Sequence, residues 1–191
     1  HDLGVEHFDA YGTGNGKYPP CYIVGNRTAG ATAAYIPSCQ TTWKHSGGAS
    51  LKLQSTTTYN GAYAIAPRID ISDITMLRVK FWASAGSAAN ATDKYAHALI
   101  VGVLTDPTDI STFSPVDTVN LTLESRSFDV KLSSYTHDLN GNIGKYVMFY
   151  SSFDKNNTVF IDDVEFDTIY ACSGNMDVEA VTSNSISVSF D

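Results

Sequence analysis

The chain has 191 residues, 17% of them charged, and a formal net charge of −8. An acidic chain with no Lys/Arg cluster argues against nucleic acid or an anionic membrane surface as partner, since both demand concentrated positive charge. No apolar run reaches the roughly 18 residues of a transmembrane helix, so no membrane insertion is expected, and the length allows one sizeable domain.

Ser, Thr, Gly, Asn and Tyr are abundant, while Glu occurs only at Glu6, Glu124, Glu165 and Glu179. This is the composition of an all-β, turn-rich domain. No segment has the period of an amphipathic helix. Val5 to Asp9 is a plausible first strand, and Gly12 to Pro20 is a Gly/Pro loop. Ser50 to Ser55 alternates cleanly. Tyr63 to Pro67 leads to Met76–Ala83, the strongest strand, in which Trp82 reads as core. Ala96 to Thr105 is almost continuously apolar, with His97 read as a satisfied packing residue. Asp106-Pro107 marks a turn. Val116 to Leu123 and Arg126 to Leu132 read as a further pair. Asn140-Gly141 precedes Lys145–Tyr150. The segment Asp138-Leu139-Asn140-Gly141-Asn142 superficially resembles a calcium loop, but Ile143 stands where the EF-hand needs Gly, so it is read as a turn.

Thr158 to Phe166 closes the set and carries the most information. Alternation places Phe160, Asp162, Val164 and Phe166 on one face and Ile161, Asp163 and Glu165 on the other. An inward Asp162 would need a hard cation or a basic partner, whereas an outward Asp162 would need neither. About nine or ten strands are then expected, the count of a two-sheet antiparallel sandwich or jelly roll.

The cysteines are Cys21, Cys39 and Cys172. With no CxxC a zinc site is not expected. Cys21 and Cys39 could pair in an oxidising compartment or remain thiols. The chain begins His1-Asp2-Leu3 without Met or a signal peptide, which suggests a piece of something longer. Residues 1–170 read as the sandwich module. Residues 171–191 read as a linker followed by strand, turn and strand, which resembles the opening of a fibronectin type III domain, with Phe190 where Trp is usual.

Three pieces carry a resemblance to a known superfamily. They are Phe8-Asp9 in the first strand, His45-Ser46-Gly47-Gly48-Ala49-Ser50-Leu51 before a strand, and Ile161-Asp162-Asp163-Val164 in the last. Together they resemble the jelly-roll superfamily of carbohydrate-binding modules, MAM domains and the cleaved-adhesin domains of bacterial surface proteins, over about residues 3–168. The resemblance implies a structural calcium between the first and last strands. Its ligands would be Asp9, the backbone around Ser46 to Ser50, and Asp162, with Asp163 as the fallback if the register slips. Asp9 departs from the Glu often found at its position. The resemblance also implies a secreted or cell-surface setting.

Catalytic arrangements are not expected: there is no GxSxG, HExxH or P-loop. Asp162 and Asp163, adjacent on a strand, are expected to point apart and so cannot form a glycosidase pair. The chain is therefore read as no enzyme, although it could serve as an accessory module of one. The supply of 11 Tyr and 2 Trp suggests stacking platforms for sugar rings. The loop candidates are Tyr18, Tyr22, Tyr35, Trp43, Tyr59 and Tyr95. The expected partner is a polysaccharide or glycan, and the alternatives are an adhesin module that binds a host or surface protein, or an inert spacer.

Overall fold

In the computed structural model residues 4–86, 97–138, 141–151 and 157–169 are described in full, and 176–182 and 185–190 as backbone. Two antiparallel sheets pack face to face. One contains β1 (Val5–Glu6), β3 (Ser38–Gln40), β4 (Ser50–Ser55), β6 (Leu77–Ala85), β9 (Arg126–Lys131) and β11 (Asn157–Thr168), in the order β3-β4-β11-β6-β9 with β1 also on β11. The other contains β2 (Ile23–Asn26), β5 (Ala62–Ile65), β7 (Ala98–Leu104), β8 (Ser114–Asn120) and β10 (Tyr146–Ser151), in the order β2-β5-β10-β7-β8. This is the all-β jelly-roll sandwich that the strand spacing predicts. A separate antiparallel hairpin, β12 (Met176–Thr182) with β13 (Ser185–Phe190), follows the strand–turn–strand reading of that segment.

The core lies between the sheets because alternation sends one apolar set inward from each. Leu51, Leu53, Val79, Phe81, Ala83, Val159 and Ile161 come from the six-stranded sheet. Ala62, Ala64, Leu99, Val101, Val103, Val147 and Phe149 come from the five-stranded sheet. Phe81 and Phe149 meet edge to face across the sandwich at 5.3 Å, a favoured aromatic geometry.

Several expectations change. Trp82 is not core: on β6 it alternates outward with the half-buried Arg78 and Lys80, while Leu77, Val79 and Phe81 face in. The segments 114–120 and 126–131 are not partners. β8 pairs with β7 in one sheet and β9 with β6 in the other, so the chain crosses between sheets there. The first strand stops at Glu6. Phe8 takes a left-handed φ of 59°, its N–H is held by Glu6 Oε1 at 2.8 Å, and its side chain is fully buried. β2 and β3, short and without clean alternation, were not expected. Among the described residues His97 finds no partner for either ring nitrogen, and burial lowers its pKa. The Asp138 segment is a turn: the buried Asp138 carboxylate accepts from Asn142 N at 2.8 Å and Thr105 Oγ1 at 2.9 Å.

Cys21 and Cys39 are both free thiols, one exposed and one buried; Cys172 lies outside the described residues. Burial pushes the Cys39 pKa up to about 12. Because the thiolate is the reactive form, a thiol reagent at neutral pH is expected to label Cys21 in the folded protein and Cys39 only after denaturation. Peptide mapping of the alkylated protein checks this.

Candidate functional site

Two arrangements stand out. The first is a carboxylate node where the edge of β11 changes neighbour. β4 accompanies β11 up to the pair Ile161–Leu51, and β1 takes over at Val164–Glu6. Asp162 and Asp163 occupy the gap, and the register with β6 shifts between Asp162 and Glu165. This bulge changes which residues face in. Val159 and Ile161 point into the core before it, and Val164, with Phe166 packed beside it, after it. The expected common face of Phe160, Asp162, Val164 and Phe166 therefore does not exist.

The turn before β4 fills the gap. His45 N and Ser46 N donate to Asp162 Oδ2 at 2.8 and 3.0 Å, and Asp163 N donates to Asp162 Oδ1 at 2.8 Å. Asp162 is 2% exposed, and these three backbone donors are the physical reason its burial is tolerated. Asp163, at φ 48°, accepts from Ser46 Oγ at 2.6 Å and meets His45 Nδ1 at 2.5 Å and His7 Nδ1. The two carboxylates thus do not diverge as alternation requires; both hold the same turn. Asp9 holds its far end, with Oδ1 accepting Gly48 N at 2.6 Å and Ala49 N at 2.7 Å. Gly47 has φ 53°, and a Cβ there would lie 1.7 Å from Asp9 Oδ2, so glycine is required.

Burial raises the Asp162 pKa, partly offset by its backbone donors. Burial also acts to raise Asp163, but the bonds from Ser46, His45 and His7 outweigh it and leave Asp163 below the ordinary carboxylate value. The His45 ring lies flat on Trp82, with centroids 3.4 Å apart and planes 7° apart.

Of the residues expected to hold an ion, Asp9, Ser46, Asp162 and Asp163 converge on one turn. The Ser50 hydroxyl is buried and donates to the Thr42 carbonyl at 3.0 Å, so a contribution from Ser50 would come from its backbone oxygen, as the resemblance implies. The turn presents N–H groups both to Asp9, which is exposed, and to the buried Asp162, so the burial of Asp162 requires no cation. Among the described residues, Asp9 Oδ2 accepts no hydrogen bond and Asp162 Oδ1 accepts one. These oxygens fit a hard cation whose remaining ligands are backbone oxygens and water. No group of three or more His, Cys, Asp or Glu side chains among the described residues is arranged to hold a metal.

The second arrangement lies on the outer face of the five-stranded sheet. The register aligns Gly25, Tyr63, Tyr150 and Ile100 in one row and Ile23, Ile65, Met148 and Gly102 in the next. Two of these positions are glycines because rings lie across them. A Cβ on Gly25 would fall 2.3 Å from Tyr63 Oη, and one on Gly102 would fall 2.6 Å from Phe113 Cε2. Phe113 comes from the β7–β8 connection and meets Tyr150 edge to face at 5.7 Å. Together with Ile110, Ser111, Met148 and Arg27 they line a recess of ≈ 340 Å³.

The loop aromatics expected to bind are mostly engaged elsewhere. Tyr22 is 4% exposed and packs edge to face on Phe8 at 5.8 Å, so it belongs to the core and not to a surface. Tyr18 is packed against the core. Tyr35 and Tyr59 stack on each other at 4.5 Å, and Asn26 Nδ2 ties their carbonyls together. Trp43 is 41% exposed beside the carboxylate turn. Tyr95 lies outside the described residues. Sequence reading missed Phe113, Tyr150 and Arg27. The signal that marks the place is Gly102 inside the apolar run Leu99 to Leu104, since a mid-strand glycine signals a bulge or a close approach.

No protein-family profile matches the chain, and no curated protein matches it. Solved structures share its fold. The K3 cleaved adhesin domain of Lys-gingipain from Porphyromonas gingivalis W83 superposes with a TM-score of 0.63 at 16% identity, covering 87% of this chain and 99% of that one. The K1 domain of the same protein gives 0.61 at 16% identity, covering 86% and 96%. The CBM22-1 xylan-binding domain of Paenibacillus barcinonensis Xyn10C gives 0.54 at 12% identity, covering 90% and 96%.

Proposed function

We propose that the chain is a non-catalytic carbohydrate-binding module of a secreted or surface-anchored bacterial protein, and that the recess on the five-stranded sheet holds the glycan. The observation that carries this reading is Phe113, a half-exposed ring that lies over Gly102 and meets Tyr150 edge to face in the recess. An exposed ring offers the apolar face on which a sugar C–H face stacks, and hydroxyls at the rim supply hydrogen bonds. The fold shared with a xylan-binding domain supports the class of ligand, although fold alone does not set function. A groove on the six-stranded sheet, lined by Lys80, Trp82, Ser127, Asp129 and Glu165, is less suited. Its Lys80 is paired with Glu165 and Asp167, and its Trp82 is covered on one face by His45.

Affinity electrophoresis against a panel of plant and host polysaccharides tests the proposal. Retardation by one polymer class is expected. Migration unchanged on every polymer overturns it in favour of a protein-binding adhesin module, a role suggested by the cleaved-adhesin likeness.

A structural calcium on Asp9 and Asp162, completed by backbone oxygens, belongs to the same proposal. Its support is the meeting of both carboxylates on one turn and the open Asp9 Oδ2. An ion present at a hundred times its Kd adds about 2.7 kcal/mol to stability, so chelator is expected to lower the Tm of the wild type and not that of Asp9→Asn. A wild-type Tm indifferent to chelator removes the ion from the proposal and leaves the N–H groups as the sole partners. The hairpin of residues 176–190 is proposed as belonging to a module separate from the sandwich.

A further inference from the structure

We infer that the recess recognises an acidic sugar, a uronate within a polysaccharide, and that Arg27 is the residue that reads its carboxylate; this rests on the carbohydrate reading above. Arg27 lines the recess with Phe113, Tyr150 and Ser111. Its backbone is fixed there because its N–H donates to the Gly61 carbonyl at 2.9 Å. Gly61 also brings it against an aromatic: a Cβ on that glycine would lie 2.8 Å from Arg27 Cβ and 2.9 Å from Tyr150 Oη. The arginine stem and the tyrosine hydroxyl therefore share one wall.

Among the described residues the Arg27 guanidinium makes no hydrogen bond or ion pair, unlike Arg78, Lys80 and Arg126, which are paired. The acidic groups nearest in sequence to the lining are engaged by their own turn. Asp109 accepts from Ser111 N at 2.9 Å, and Asp106 from Thr108 N and Oγ1. An arginine that lines a recess together with Phe113 and Tyr150 matches a sugar ring that stacks while presenting a planar carboxylate at its edge, since the fork of an arginine binds a carboxylate in bidentate fashion. At physiological ionic strength the screening length is about 8 Å, so the distant negative charges of the chain do not cancel this local one.

The test uses the full chain and matched polymers: polygalacturonate and glucuronoxylan, each beside its carboxyl-reduced neutral form, and a sulfated glycan. Affinity electrophoresis and calorimetry are run on the wild type, Arg27→Gln and Arg27→Lys, with Tm as the check on folding. The expected result is about tenfold tighter binding of one acidic polymer than of its reduced form, the size of a charge-assisted hydrogen bond. The preference should collapse toward one in Arg27→Gln and be intermediate in Arg27→Lys. Equal binding of acidic and reduced forms overturns the inference and leaves the carbohydrate reading standing. A preference that survives in Arg27→Gln, or one for the sulfated glycan over both uronates, also overturns it. Binding of no polymer at all overturns the carbohydrate reading, and this inference with it.

Discussion

Asp162→Ala is expected to destabilise the protein by about 3 kcal/mol, the sum of roughly 1 kcal/mol for each of three donors left without an acceptor. The donors are His45 N, Ser46 N and Asp163 N. They stand where β11 has lost β4 and not yet gained β1, so no neighbouring strand can accept them in place of the carboxylate. The loss is a large share of the roughly 5–15 kcal/mol that holds a typical domain folded, and corresponds to a fall in Tm of about 6–12 °C. Urea unfolding measures it, and should be run with chelator throughout. A loss that persists in chelator assigns the effect to the N–H groups. A loss below about 1 kcal/mol under those conditions would mean the turn does not depend on Asp162. Asp162→Asn should fall between wild type and alanine, because its single oxygen replaces one acceptor while its amide N–H faces donors.

Phe113→Ala is expected to weaken polysaccharide binding by about 2 kcal/mol, roughly thirtyfold in Kd, the loss typical of an aromatic anchor. Phe113 sits on a connection and not in the sheet, is half-buried, and forms a wall of the recess against Tyr150. Its removal should cost stability far less than removal of the fully buried Phe81 or Phe149, which belong to the core between the sheets. Comparing the two readouts separates a binding role from a packing role: calorimetry on the retarding polymer should change strongly and Tm weakly. Full affinity in Phe113→Ala would displace the site from this recess.

Much of the fold was legible in the chain. Ser50 to Ser55, Leu77 to Ala83 and Tyr146 to Tyr150 alternate or run apolar over several residues, and strands of that kind are read from period alone. β2 and β3 are four and three residues long, too short for a period to register. The carboxylate turn was half legible. The residues Asp9, Ser46, Asp162 and Asp163 and their mutual proximity came from the resemblance. Their hydrogen-bonding role did not, because it depends on a bulge that no alternation rule contains.

What the sequence by itself determined is the class of object: short alternating segments and abundant turn residues permit a β-sandwich and little else, and an acidic chain without a basic cluster argues against nucleic acid and anionic membrane as partners. What only the tertiary structure decided is where a ligand could sit. Arg27, Phe113, Met148 and Tyr150 are distant in sequence and belong to three different segments. They become one recess because Gly102, in register with Met148, leaves room for the Phe113 ring, and because Gly61 lets Arg27 and Tyr150 approach. The faces of Asp162 and Asp163 were likewise settled by a change of neighbour along a single strand, since backbone groups without a ladder partner must find another.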